Sequence, residues 1–144
     1  AHHVTSLYAL SIELYAMLAR AVIEHWQVET DLAPFIDIKN RLQDSLERGD
    51  IGAFVENSFD VMRAAFPFAD NPYLQETLEN LLPAISRTYH LALERRKGEM
   101  GQFMNTFASL LQAIIARDPV RAREVLQAYG EHNCQLVLAT LAER

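Results

Sequence analysis

The sequence has 144 residues, of which 50% are hydrophobic and 22% are charged, and this composition excludes a disordered chain and is typical of one globular domain. The formal net charge of -6 argues against direct binding of a phosphate backbone, because such binding needs clustered lysine and arginine side chains. The single cysteine, Cys134, excludes an intrachain disulfide and fits a reducing, cytoplasmic setting.

The ends and the apolar runs of the chain bear on its origin and its surroundings. No apolar run approaches the ~20 residues of a membrane span, and no signal-peptide pattern is found, so we expect no membrane partner. The start, Ala1-His2-His3, lacks an initiator methionine and is interpreted as a cut end, with the histidines either native or from a tag. The chain is therefore expected to be a fragment of a longer protein.

Apolar residues recur at helical spacing through the first half of the chain. A first helix is predicted from Val4 to about His25. A second begins near Thr30-Asp31, a favourable N-cap pair, and stops at the glycine terminator Gly49. A third covers about residues 51–68.

The second half of the chain continues the same pattern. The fourth helix, about 72–95, is capped by Asn71 and is expected to kink near Pro83, because an interior proline removes a backbone hydrogen bond. The fifth follows Gly98 or Gly101, and the sixth starts at Asp118-Pro119 and is interrupted at Gly130. The sequence predicts an all-α, antiparallel helical bundle of about six helices, in one domain spanning 1–144.

Two groups of polar residues could bind a metal. Glu56 and Asp60 are four residues apart and share one face of the third helix. The favoured interpretation is a solvated surface, because the apolar residues of that helix define a different, buried face. The histidines His25, His90 and His132 show no zinc-binding spacing.

No catalytic pattern was found. Cys134 has no adjacent base to form a thiolate, since His132, two residues away, points elsewhere around the helix. Most aromatic side chains are interpreted as core. The chain has no nucleophile elbow, P-loop or dinucleotide fingerprint. From the residues alone, the function is interpreted as binding and not as catalysis.

Three short segments have a common counterpart in one family. The run N-P-Y-L at 71–74 is similar to a turn motif A-S-G-N-P-x-L, and residues 113–122 are similar to A-I-x-x-G-D-x-x-x-A. The run L-Y-A-L at 7–10 is similar to L-Y-E-L-R, with Ser11 in place of the arginine. In order and spacing these segments resemble the FCD domain, the C-terminal effector-binding domain of FadR-subfamily GntR transcription regulators. The resemblance implies a homodimeric sensing domain whose N-terminal winged-helix DNA-binding domain, the only part to contact DNA, is absent from this chain.

The resemblance also bears on metal binding. Members of the family commonly hold a metal with one aspartate and three histidines. An ungapped carry-over of those positions falls on Ser58, Met62, Phe107 and Tyr129. None of these offers an imidazole, thiolate or carboxylate, so the resemblance implies no metal and no cofactor. A shift of two residues would return Glu56 or Asp60 to the site, so a metal-dependent domain is an alternative, as is a dimerisation module without a ligand.

The replaced ligand set implies an apolar cavity with a few polar groups, which suits an apolar or amphipathic small molecule. FadR, the fatty-acid regulator of the family, also lacks the metal and binds acyl-CoA. Its segment R-Y-G-H-E-S is similar to Y-G-E-H-N at 129–133. We expect a small carboxylate or acyl-type effector, and Ser11 weighs against a dicarboxylate. The expected ligand-binding residues are Ser58, Met62, Arg63, Phe107, Tyr129 and Asn133.

Overall fold

A computed structural model of the chain describes residues 2–143, and within these residues six α-helices and no strand occur. The prediction of an all-α helical bundle is confirmed. A short 3-10 helix, Glu29–Leu32, precedes the second α-helix. The helices are α1 (His2–His25), α2 (Ala33–Arg48), α3 (Ile51–Ala69), α4 (Pro72–Arg95), α5 (Glu99–Ile115) and α6 (Pro119–Ala142).

The helices pack around one large core, and a smaller apolar cluster lies beside it. α1 lies against α3 and α6, α2 pairs with α3, α5 pairs with α6, and α4 contacts α3 and α6. The most deeply buried large apolar side chains are Leu42, Phe54, Leu78 and Leu93, which come from α2, α3 and α4. Each such side chain stabilises the fold by about 1.5–3 kcal/mol through burial. Their positions follow the helical spacing from which the helices were predicted.

Side-chain caps start three of the helices. Asp50, Asn71 and Asp118 each accept hydrogen bonds from backbone N–H groups two or three residues further on, at 3.0 to 3.2 Å. These bonds satisfy donors that a helix start leaves unpaired. The predicted starts at Asn71 and at Asp118 are confirmed.

The start of α2 differs from the prediction. Thr30 and Asp31 lie in the 3-10 helix and do not cap α2, which begins at Ala33 without a side-chain cap. The Asp31 carboxylate instead accepts hydrogen bonds from the backbone N–H groups of Gln27 at 2.8 Å and Val28 at 3.2 Å. Short acidic side chains often bond locally in this way, and here the bonds stabilise the turn before the helix.

Gly130 does not interrupt α6, and that prediction is wrong. The helix continues from Pro119 to Ala142. A Cβ atom at position 130 would lie 2.3 Å from Cγ1 of Ile12, so the glycine allows α1 and α6 to approach closely. α4 contains Pro83 within one continuous helix, and the kink expected there stays a prediction.

α1 is longer and more apolar than expected from the sequence, where no apolar run approaches the length of a membrane span. Over 18 residues its mean hydropathy is 1.4, which by length and composition alone is enough to cross a membrane. Glu13 and Arg20 interrupt every apolar run of α1, so the sequence alone predicts no such segment. In the bundle, the buried residues of α1 pack mainly against α3 and α6. A buried helix of a globular core has the same composition.

Candidate functional site

A cavity of about 130 Å³ lies between the helices. It is lined by residues of all six helices, and α2 contributes only Phe35. Five of the six expected ligand-binding residues lie at this cavity: Ser58, Met62, Phe107, Tyr129 and Asn133. The structure therefore brings together residues that are up to 75 positions apart in the sequence.

The walls of the cavity are mainly apolar and aromatic. Phe103 forms an edge-on contact with the Tyr129 ring, with the ring centres 5.6 Å apart, and a tilted contact with Phe107 at 6.3 Å. Phe107 is 2% exposed and Met62 6%. These side chains hold the shape of the cavity by packing, and they favour a ligand that is largely apolar.

Two serine hydroxyls at the cavity are already engaged as donors. Ser58 donates to the carbonyl of Val55 at 2.6 Å, and Ser11 donates to that of Leu7 at 2.8 Å. Each hydroxyl carries one hydrogen, so neither serine retains a donor for a ligand. Both can still accept a hydrogen bond.

Four tyrosines also line the cavity, and they are referred to below as the phenol cluster: Tyr8, Tyr15, Tyr89 and Tyr129. Tyr8 is 6% exposed and Tyr89 is 3% exposed. Within the described residues, the hydroxyls of these two are buried and have no hydrogen-bond partner. The neighbouring hydroxyls of Thr88 and Tyr129 lie close enough to affect their pKa values but outside hydrogen-bonding geometry. Buried polar atoms without a partner are rare in folded proteins.

The phenol cluster is uncharged near neutral pH. Burial raises the pKa of Tyr8 to about 12 and also raises those of Tyr15 and Tyr89, because the phenolate loses its hydration. Burial is also the main cause that raises the pKa of Tyr129; its neighbour Tyr89 adds to the effect and Asn133 opposes it. Each phenol therefore keeps its proton and is a potential donor.

Arg63 is not at the cavity. It follows Met62 directly, and successive residues of a helix point in different directions. The Arg63 guanidinium is held on the surface by Glu79 and Asp60, each at 3.1 Å, and by Glu56 at 3.6 Å. The expectation that Arg63 would share a site with Met62 is therefore not met by its position. No charged side chain of the described residues lines the cavity.

The two acidic residues considered for a metal lie in the same surface network. The Glu56 side chain is 70% exposed, and Asp60 is shared between Arg63 and Arg41, which lies 3.1 Å away. The interpretation of Glu56 as a surface residue is confirmed. Among residues 2–143, no group of three or more His, Cys, Asp or Glu side chains is placed to hold a metal.

The histidines considered for zinc have other partners. His90 pairs with Glu94 at 2.9 Å, and His132 pairs with Glu99 at 2.8 Å. His25 bonds to a backbone carbonyl of its own helix at 2.8 Å. These contacts agree with their interpretation as surface or partly buried histidines.

The sequence analysis did not assign Tyr8 and Tyr15 to the site. A usable signal was present, because Tyr8, Ser11, Ile12 and Tyr15 follow the spacing of one helical face. Polar groups along an inward apolar face suggest a cavity. Tyr89 is one of the aromatic residues that the sequence predicts as core, and nothing in its local sequence indicates that its hydroxyl lacks a partner.

Comparison with known proteins identifies one matching family. Residues 6–132 match the family model of the FCD domain. FCD domains are effector-binding regulatory domains of GntR-family transcription regulators. No curated protein matches the chain.

Proposed function

The chain belongs to the FCD domain family, and we propose that it senses a small-molecule effector and dimerises as the regulatory part of a bacterial GntR-type regulator. The observation that carries this proposal is the cavity lined by Met62, Phe107 and Tyr129. By the ungapped carry-over described above, these residues fall at the positions where metal-dependent members of the family carry their ligands. A cavity at this place is suited to binding an effector.

We propose that sensing proceeds without a metal. The four positions hold a hydroxyl, a thioether, a phenyl ring and a neutral phenol, and this set does not fit a divalent transition metal. The Ser58 hydroxyl is also occupied as a donor to the carbonyl of Val55. The acidic alternatives, Glu56 and Asp60, are paired with arginines on the surface.

The proposed mechanism is thermodynamic linkage between the cavity and the dimer. A ligand that binds one dimer arrangement more tightly shifts the population toward it, and so changes the spacing of the attached DNA-binding domains. The shift cannot exceed the difference in affinity, and each tenfold difference corresponds to about 1.4 kcal/mol. DNA binding belongs to a separate N-terminal domain outside this chain.

We further propose a homodimer in the cytoplasm. Leu10 and Met17 lie seven residues apart on one face of α1 and are 46% and 50% exposed. An apolar stripe of this kind is suited to a two-fold interface. Cys134 is buried and unpaired, which fits a reducing compartment.

Native mass spectrometry of freshly purified protein tests the proposal directly. We expect a dimer mass and, above it, the mass of a retained small molecule, with no transition metal after dialysis. Ala65→Leu, which adds volume at the cavity, should abolish retention, whereas Ala128→Leu at an exposed position of α6 should preserve it. Stoichiometric zinc, nickel or manganese would contradict metal-free sensing. A ligand-free dimer under all conditions would favour a dimerisation module.

A further inference from the structure

The unpaired hydroxyls of Tyr8 and Tyr89 are the least satisfied polar groups at the cavity. They come from α1 and α4, and both side chains are more than nine-tenths buried. Leaving a buried donor unpaired costs free energy that an acceptor from a ligand can recover. All four tyrosines of the phenol cluster line this one cavity.

The charge at the cavity restricts the ligand. No cationic side chain of the described residues lines it, and Arg63 is held on the surface by Glu79 and Asp60. A carboxylate placed there would lose its hydration without an opposite charge, which is strongly unfavourable. An uncharged acceptor such as a carbonyl has no such penalty and can accept from a phenol.

The other polar groups at the cavity are less buried or already engaged. The two serine hydroxyls donate within their own helices. Thr106 and Asn133 also line the cavity and can add a hydrogen bond to a ligand. Among the described residues, the hydroxyls of Tyr8 and Tyr89 are the fully buried side-chain donors that have no hydrogen-bond partner.

The volume of the cavity restricts the size of the ligand. About 130 Å³ is slightly below the roughly 150 Å³ of an engineered protein cavity that holds benzene. A long acyl chain does not fit this space. A ring with one small substituent fits with slight adjustment of the side chains.

We propose, on the basis of the sensing function above, that the effector is a small, uncharged, largely apolar molecule whose carbonyl or similar acceptor is bound by the hydroxyls of Tyr8 and Tyr89. This departs from the expected class of small carboxylates and acyl-type ligands and favours neutral molecules about as large as a monosubstituted benzene. Recognition depends on shape and on one or two hydrogen bonds.

Three probes of similar shape test the proposal by isothermal titration calorimetry on the full chain: acetophenone, ethylbenzene and benzoate. We expect acetophenone to bind about tenfold more tightly than ethylbenzene, and benzoate to bind most weakly. Tyr8→Phe and Tyr89→Phe should each weaken acetophenone about fivefold, the effect of one ordinary hydrogen bond, and leave ethylbenzene unchanged. Tyr73→Phe is the matched control, since Tyr73 is 80% exposed and outside the cavity. Thermal melts by circular dichroism confirm that each variant is folded.

Three results would overturn the inference, and none of them depends on the sensing proposal. Tightest binding by benzoate would show that the site takes an anion. If acetophenone and ethylbenzene bound equally well and neither variant changed this, the hydroxyls of Tyr8 and Tyr89 would not recognise the carbonyl. Failure of all three probes to bind at millimolar concentration also counts against the inference. The sensing function is judged separately, by the ligand that native mass spectrometry detects.

Discussion

The guanidinium carbon of Arg117 lies 3.9 Å from the centre of the Trp26 ring. The same guanidinium donates to the carbonyls of Ile23 and Trp26, both at 2.6 Å, at the end of α1 where backbone acceptors lack helical partners. The indole N–H of Trp26 in turn donates to the carbonyl of Ile114 at 3.1 Å. Arg117 and Trp26 therefore join the end of α1 to the end of α5.

Arg117 shares an unusual backbone conformation with Asp70. Their φ angles are 54° and 46°, and within residues 2–143 no other non-glycine residue has a positive φ. Both align with a glycine of the FCD motifs: Asp70 with the glycine of A-S-G-N-P-x-L, and Arg117 with the glycine of A-I-x-x-G-D-x-x-x-A. The left-handed region costs an ordinary residue about 1–2 kcal/mol, and less for aspartate. The two positions differ in what their side chains contact.

Replacing these two residues by glycine should have opposite effects on stability. Asp70→Gly should raise the free energy of unfolding by about 0.5–1 kcal/mol, because the exposed carboxylate makes no contact to lose. Arg117→Gly relieves the same backbone but removes the cation–π contact and two charged hydrogen bonds, so it should lower stability by about 1–3 kcal/mol. Urea denaturation measures both. Shifts of the same sign would contradict this account.

Gly130→Ala should destabilise the bundle by about 1–3 kcal/mol, because the added methyl would overlap the buried side chain of Ile12. Glycine to alanine inside a helix ordinarily stabilises by about 0.5–1 kcal/mol. Gly101→Ala is the control, since among the described residues its added Cβ would meet no atom within 4 Å apart from its chain neighbours and its own helix backbone, and it should show that ordinary gain. Combining Gly130→Ala with Ile12→Ala should cost less than the sum of the two single changes. Strict additivity would count against the proposed contact.

The fold was accessible from the sequence because its signals are local. Caps at Asn71 and Asp118 and the periodic apolar residues depend on neighbours within a turn or two. Asp31 was misassigned because a side chain can bond backward to a turn as readily as forward to a helix. The role of Gly130 depends on Ile12, 118 positions away, and no local pattern reports that distance.

The residues of the site could be predicted from the sequence only where the FCD resemblance assigned them a position. The resemblance led to Met62, Phe107 and Tyr129, which do line one cavity. The same resemblance also suggested Arg63, which does not line the cavity. Its side chain is paired with Glu79 on α4. The missing partner of the Tyr89 hydroxyl is a property of several packed helices together, and a linear sequence does not contain it.

Charges on the exposed face of α1 should disrupt the proposed homodimer. Leu10→Asp and Met17→Asp each place a carboxylate on the apolar stripe, where dimer formation would bury it without a partner. Sedimentation velocity should show a shift from dimer to monomer, with helical content unchanged. Val120→Asp, at a 69% exposed position on α6, is the control and should remain dimeric. Dimers in all three variants would place the interface elsewhere.

Stability should fall at alkaline pH because of the phenol cluster. The pKa of Tyr8 is raised from 10.0 to about 12, so the unfolded chain releases this proton at a lower pH than the folded one. The corresponding stabilisation, about 2–3 kcal/mol, is present below pH 10 and is lost as the pH rises toward 12. Tyr8→Phe should therefore make the fall of the unfolding free energy between pH 10 and 12 less steep, while the other three phenols of the cluster keep their own contributions. Tyr73→Phe should leave it unchanged, and an equal flattening in that variant would contradict the assignment.

Phe107→Ala should enlarge the cavity and change which ligands bind. The side chain is 2% exposed, so its removal should lower the free energy of unfolding by about 3–5 kcal/mol in denaturant titrations. Phe54→Ala is the matched control, because Phe54 is fully buried, contacts Phe103 and does not line the cavity. Both variants should lose similar stability, but only Phe107→Ala should gain affinity for butyrophenone relative to acetophenone in calorimetry. The longer ketone fills the space that the ring vacates. If both variants keep the parent chain's preference between the two ketones, the cavity does not set ligand size through Phe107. In that case either Phe103 has moved into the gap or the Phe107 ring never limited the ligand.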